Sequence, residues 1–354
     1  MIFKILRCIS SFFDMFVPQS KYNNKILQKP LKNRFMNTWD SKKWLKDFNR
    51  ADTQFSNQID LFSGYNTKKD LRRVVFESTL KITVDAEYHT EKKVTLNKDN
   101  DFQNVIKNSV FYDDTTSLIT STATKYPTQF SVIDADCLEV ANLLRKMGKK
   151  PVVLNMANAK TPGGGVLGGA GAQEENLFRR SNMHLSLYQY ADFALKYDIP
   201  KNSSFQYPLS ASGGIYSKGI TVFRSSEVTG YSLLDEPYTL DFIAVAAIYN
   251  PPLVRIENKL YLDKNCIEDA KTRLRTILKI AIAQNHTTLV LSAIGCGAFA
   301  NPPAHIAALF QEMFEEIEFK NVFEMVVFAI FNDHNSHQKH NPEGNVIPFQ
   351  QIFG

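Results

Sequence analysis

The 354-residue sequence predicts an α/β sandwich, a largely parallel or mixed sheet covered on both faces by helices. Two observations carry the prediction. Strand-like and helix-like segments alternate from about residue 126 to the C-terminus. The strand-like segments, PVVLNMA (151–157) among them, are near-continuous apolar runs, as expected where both faces of a sheet are buried. A third observation points to function: two of these strands lead into glycine-rich loops.

The elements follow in order. A short helix is expected from near TWDSKKWLKDF, with Trp39 and Trp44 as packing anchors. DLRRVVFESTLKITVDAEY reads as a helix with Leu71, Val74, Val75 and Leu80 on one side. FSVIDAD (130–136) is a strand, CLEVANLLRKM (137–147) a helix closed by Gly148, and 151–157 a second strand. One helix is expected from about Gln173 to Tyr190. Strands follow at 220–224 and 241–248, a helix at 266–284, a strand at 287–294, a helix at 302–317 and a strand at 323–331. There is no internal repeat.

Composition excludes several classes. Hydrophobic residues make up 44% and charged residues 22%, an ordinary globular balance. No apolar run reaches bilayer length. Cys8, Cys137, Cys266 and Cys296 form no CxxC pair, so neither a disulfide framework nor a zinc site is expected, and a reducing, cytoplasmic compartment is the default. The net charge of +5 is unevenly spread: residues 1–50 hold 11 Lys and Arg against 3 Asp and Glu, the remainder 30 against 33. The basic character belongs to an N-terminal extension, and direct nucleic-acid binding by the rest is not expected. Residues 1–17 are amphipathic at helical period and lack a signal-peptide cleavage site. Three readings stay open for them: a helix docked on the protein, a helix lying on an anionic membrane surface, and a targeting peptide.

The loops are NAKTPGGGVLGGAGA after strand 151–157 and GCGAFANPP after strand 287–294. Ligands of open α/β sheets sit beyond the carboxyl ends of strands, and glycine lets backbone N–H groups approach them, so the pair suggests a phosphorylated ligand. Gly163, Gly165 and Gly168 satisfy GxGxxG, but the first glycine stands several residues past the strand and the helix starts only after Gly171. A dinucleotide turn is therefore not expected, and without GK[ST] neither is a P-loop. Gln173, Glu174 and Glu175 fall in the first turn of the next helix. A carboxylate beside a phosphorylated ligand suits a general acid if burial and charge raise its pKa, although a helix N-terminus lowers it. Adjacent helical residues point about 100° apart, so the two glutamates do not flank one bond; one does chemistry and the other binds.

LNMANAKTPGGG…QEE resembles the signature of bacterial-type poly(ADP-ribose) glycohydrolases, members of the macrodomain superfamily. VIDADCLEVANLL, ITVFRSS, TLVLSAIGCGAFANPP and VVFAIF are similar to that family's successive blocks, in the same order. The resemblance covers about residue 60 to the C-terminus and leaves 1–50 unmatched. It implies a three-layer α/β/α macrodomain with a mixed central sheet, plus the N-terminal helical extension. A helical accessory part would span 60–125 and the macrodomain core 126–354. It implies hydrolysis of ribose–ribose O-glycosidic bonds by a monomer acting on poly(ADP-ribose) or an ADP-ribosylated protein, with no metal or cofactor. Removal of mono-ADP-ribose and non-catalytic ADP-ribose binding are the alternatives. Carried over by position, Glu175 is the acid/base and Glu174 binds ribose hydroxyls. Asn158, Gln173, Gly163, Gly164 and Gly165 contact the ribose and pyrophosphate. Gly295, Cys296, Gly297 and Ala298 form a second diphosphate loop, Phe299 orients the ribose, and Asp136 bonds the adenine amine. The histidines His184, His305, His334, His337 and His340 have no part in it.

Overall fold

The computed structural model describes residues 39–53, 67–96, 102–118, 125–257, 259–333 and 335–354. The amphipathic segment 1–17, the basic linker before Trp39 and His334 lie outside them.

Strands β3 (Val110–Tyr112), β4 (Gln129–Ile133), β5 (Pro151–Met156), β6 (Gly214–Arg224), β7 (Leu233–Val245), β10 (Thr288–Leu291) and β11 (Met325–Ala329) form one mixed sheet in the order β3-β6-β7-β5-β10-β11-β4. From β7 to β4 the neighbours are parallel; β6 is antiparallel to β7 and to β3. Two hairpins lie apart from it, β1 (Glu87–His89) with β2 (Lys93–Thr95), and β8 (Leu253–Ile256) with β9 (Lys259–Leu262).

The period-2 geometry of strands explains the two cores. Val153, Val290 and Val327 point to one face, where they join a cluster with Leu138 of α4 (Cys137–Lys146), Leu177 of α5 (Gln173–Arg180) and Phe76 of α2 (Lys68–Asp85). Their neighbours Val152, Leu289 and Val326 point to the other, against Ile277 of α7 (Lys264–Ala283), Phe310 of α8 (Pro303–Glu315) and Phe349 of α9 (Val346–Phe353). These are the three layers expected. Helix α1 (Ser41–Thr53) packs Trp44 and Phe48 against Leu71 and Val75 of α2, so Trp44 anchors it. Trp39 Nε1 donates to Gly230 O at 2.8 Å and its ring lies under the Arg224 guanidinium.

Helix starts follow capping chemistry. Thr67 caps α2 by accepting from Asp70 N, Asp136 caps α4 by accepting from Leu138 N and Glu139 N, and Asp263 caps α7 by accepting from Asn265 N. The expected single helix from Gln173 to Tyr190 is corrected. It stops at Arg180, because Ser181 turns extended and bridges Val222, while Asn182 Oδ1 accepts from Thr221 N at 2.8 Å. Sheet pairing displaces the helix there, and α6 (Met183–Leu187) starts afresh. Strands β6 and β7 are longer than expected, since the break in apolar pattern at Lys218–Gly219 is a bulge, between Ser217 and Ile220. The stretch 60–125 is not purely helical either: besides α2 and α3 (Gln103–Lys107) it supplies hairpin β1–β2 and the sheet edge β3.

Candidate active site

The loops that follow β4, β5, β7 and β10 gather at the carboxyl ends of the parallel strands. They surround a cavity of about 460 Å³ that is lined by Asp136, Gln173, Gly295, Gly297, Ala298 and Phe299, among others. Six of the expected contact residues are thereby brought to one space.

The loop between β5 and α5 closes over the two glutamates. Gly163 N donates to Glu174 Oε1 at 3.1 Å, Asn158 N to Glu174 Oε2 at 2.8 Å and Gly165 N to Glu175 Oε1 at 2.8 Å, while Gly164 N turns to Thr161 O. The group this loop wraps is the glutamate pair itself. The N–H groups of Gly163, Gly164 and Gly165 thus serve acceptors of the protein itself. Gly164 has φ +52°, and a Cβ there would lie 2.6 Å from Glu175 Oε1 and 3.2 Å from Glu174 Oε2. Only glycine lets the chain cross both carboxylates so closely. Asn158 Oδ1 accepts from Lys160 N and Thr161 N, so that side chain shapes the loop.

Gln173, which lines the cavity, also joins two elements. Its Nε2 donates to Leu154 O at 2.7 Å and its Oε1 accepts from Met156 N at 2.9 Å, so the amide ties the start of α5 to the end of β5. This fixes where the next two residues point. Both glutamates are buried. Burial, then the charge of Glu175, pushes the Glu174 carboxyl up to about 8 against the pull of the Asn158 and Gly163 N–H groups. Both oxygens of Glu174 face N–H donors, whereas Glu175 Oε2 is buried with no partner.

The second loop is held by residues that sequence reading passed over. Buried Asn301 donates from Nδ2 to Ile248 O at 2.8 Å, to Gly295 O at 3.1 Å and to Phe299 O at 3.2 Å, joining the loops after β7 and β10. His340 Nε2 and Asn341 Nδ2 both donate to Cys296 O, at 2.8 and 3.1 Å. Cys296 is thus buried by its own loop and does not line the cavity; burial pushes its thiol up, and that of Cys137 up to about 12. Among the described residues the N–H groups of Gly297, Ala298 and Phe299 find no acceptor.

Charge around the cavity is acidic. Asp134, Asp136, Glu139, Glu227 and Asp333 line it, against Arg72 and Arg180. Both cations are engaged: Arg72 grips Glu227 through two 2.7 Å bonds, and Arg180 Nη1 donates to Asp136 Oδ2 at 2.6 Å. Asp136 Oδ1 caps α4, so this carboxylate, held low by Arg180 despite its burial, reaches the cavity with both oxygens already engaged. His184 stands in an aromatic cluster with Phe76 and Tyr188, its pKa lowered to about 3 by burial. His305 Nδ1 accepts from Leu262 N, and His337 Nδ1 meets Pro342 O. No cluster of metal-ligating side chains occurs among the described residues.

Loops at the strand ends surround the cavity, and the helix α5 that lines one side of it begins with the buried carboxyl pair. Residues 77–225 match the family model described as microbial-type PARG, catalytic domain. No curated protein matches the chain. Among solved structures, the poly(ADP-ribose) glycohydrolase of Thermomonospora curvata bound to the inhibitor ADP-HPD is 26% identical, with 79% of this chain and 98% of that one covered at a TM-score of 0.61. The Deinococcus radiodurans poly(ADP-ribose) glycohydrolase in complex with ADP-ribose is also 26% identical, with 72% and 97% covered at a TM-score of 0.54. Residues 77–225 thus match the microbial-type PARG catalytic domain, and the fold is similar to that of bacterial poly(ADP-ribose) glycohydrolases.

Proposed function

We propose that the protein hydrolyses the ribose–ribose O-glycosidic bonds of poly(ADP-ribose) and releases ADP-ribose, with Glu175 as general acid and then general base. The observation that carries the role of Glu175 is its orphaned, buried Oε2 beside a carboxylate that Gly163 and Asn158 hold in place. As general acid, Glu175 gives a proton to the leaving ribose oxygen as the C–O bond breaks. The ribosyl centre gains oxocarbenium character, which the ligand's own diphosphate helps to stabilise. Water then bonds to the same carbon, and its proton returns to Glu175, so the enzyme ends as it began. Glu174, buried and fixed by two N–H groups, accepts from ribose hydroxyls. Gly297, Ala298 and Phe299 offer N–H groups to the diphosphate, and Phe299 bounds the ribose.

Incubation with defined-length polymer, followed by separation of products, tests this. ADP-ribose released from polymer supports the reading; release only from a mono-modified protein assigns the narrower task, and tight ADP-ribose binding without turnover makes the chain a reader. Residues 1–50 are assigned an address on an anionic surface, from their charge and apolar pattern alone. No helix among the described residues is long and apolar enough to cross a membrane.

A further inference from the structure

Tyr249 stands just past the end of β7, and its ring is 68% exposed. Its one aromatic contact among the described residues is edge-on to Phe299, with ring centres 5.2 Å apart and planes at 90°. Phe299 lines the cavity and Tyr249 does not. The exposed ring therefore stands directly outside the space that the terminal ADP-ribose would fill.

The backbone keeps it there at a cost. Asn250 and Ala300, the residues immediately after the two rings, both adopt left-handed conformations, φ +46° and +58°. Asn250 N donates to Phe299 O at 3.0 Å, and Asn301 ties Ile248 to the same loop. Two unfavourable non-glycine conformations and a buried asparagine thus fix an exposed tyrosine, which contributes little to the core. Strain of this kind persists where a geometry is used. The sheet order places the loop after β5, which holds Glu174 and Glu175, between those after β7 and β10. Tyr249 follows β7, the strand that pairs with β5.

We propose that Tyr249 forms a subsite for the leaving side of the polymer, stacking the adenine of the unit next to the scissile bond. The inference rests on the polymer reading above. Cleavage frees a hydroxyl on the neighbouring adenosine ribose, so an adenine must lie near the cut and outside the cavity. Bases stack on exposed aromatic faces whatever their identity. Phe299 presents its ring to the cavity while Tyr249 meets it edge-on, so one aromatic corner serves both sides of the bond.

Initial rates on long polymer, together with inhibition by free ADP-ribose, test the subsite in Tyr249→Ala and Tyr249→Phe. By the usual worth of one base–aromatic stack, Tyr249→Ala lowers kcat/KM about 5- to 100-fold, mainly through KM. Tyr249→Phe keeps the wild-type value, and the inhibition constant of ADP-ribose is unchanged in both. Unchanged polymer kinetics in Tyr249→Ala overturn the proposal, as does an equal loss of ADP-ribose affinity, which would put the ring in the terminal-unit pocket. If the wild type fails to cleave polymer at all, the functional reading falls and the subsite with it; cleavage indifferent to Tyr249 removes the subsite alone.

Discussion

Gly165 N donates to Glu175 Oε1 at 2.8 Å, and the other oxygen of that carboxyl group is buried without a partner. One oxygen is anchored and the other is left to act. The anchor comes from the loop that also grips Glu174, so loop and acid pair form a single unit. Disturbing either should disturb both.

Gly164→Ala tests that unit. A methyl group at φ +52° would lie 2.6 Å from Glu175 Oε1, so the carboxyl must move. A displacement of about 1 Å at a catalytic group costs on the order of 10²-fold in rate. Turnover by Gly164→Ala should fall by that order, while the protein stays folded and binds ADP-ribose through the second loop. Isothermal titration beside the activity assay separates the two effects. Near-wild-type turnover would show that the loop does not hold the acid.

The coupled carboxyls predict a pH dependence with a definite sign. The Glu174 carboxyl is raised from its ordinary 4.5 to about 8, by burial first and by Glu175 second. A raised folded-state value means that the stability linked to this group is fully present below about 4.5 and is lost as pH rises through about 8. Glu175→Gln keeps the bond from Gly165 N and removes the neighbouring charge. Its melting temperature should exceed that of the wild type at pH 8.5, and the gap should close at pH 5. Parallel melting curves at both pH values would contradict the coupling.

Ligand binding should be insensitive to salt, or strengthened by it. The cavity's two cations are each paired with a carboxylate, and acidic residues outnumber them in its lining. Screening at about 0.1–0.3 M therefore relieves repulsion toward a diphosphate more than it weakens attraction. ADP-ribose titrations across that range should show a flat or falling Kd. A steep rise would require an unpaired cation at the diphosphate.

Much of this was legible in the sequence because it lies in strong local patterns. The apolar runs at 151–157 and 287–294 announce buried strands, and glycines after them announce loops at a ligand edge. The break after Arg180 was not legible, because Ser181 and Asn182 leave the helix only through partners on β6, some 40 residues on. Edge strand β3 and the two hairpins are too short to carry a period. At the site, the partner of the first loop was invisible: glycines accept a phosphate or a carboxylate equally well, and only the distances show that Glu174 and Glu175 take the N–H groups. Gln173 reads as part of a motif, yet its amide is committed to Leu154 and Met156. His340, set aside from the site, and Asn341 both hold Cys296 O, contacts that no local sequence pattern announces.

The central claim is that Glu175 supplies the proton that breaks the bond. Single-turnover cleavage of defined-length polymer by Glu175→Gln, with ADP-ribose affinity measured on the same preparation, tests it most directly. The account predicts a rate loss on the order of 10²–10⁴, the usual contribution of a general acid, with affinity kept within about two-fold. Wild-type cleavage by a folded Glu175→Gln protein that still binds ADP-ribose would contradict it.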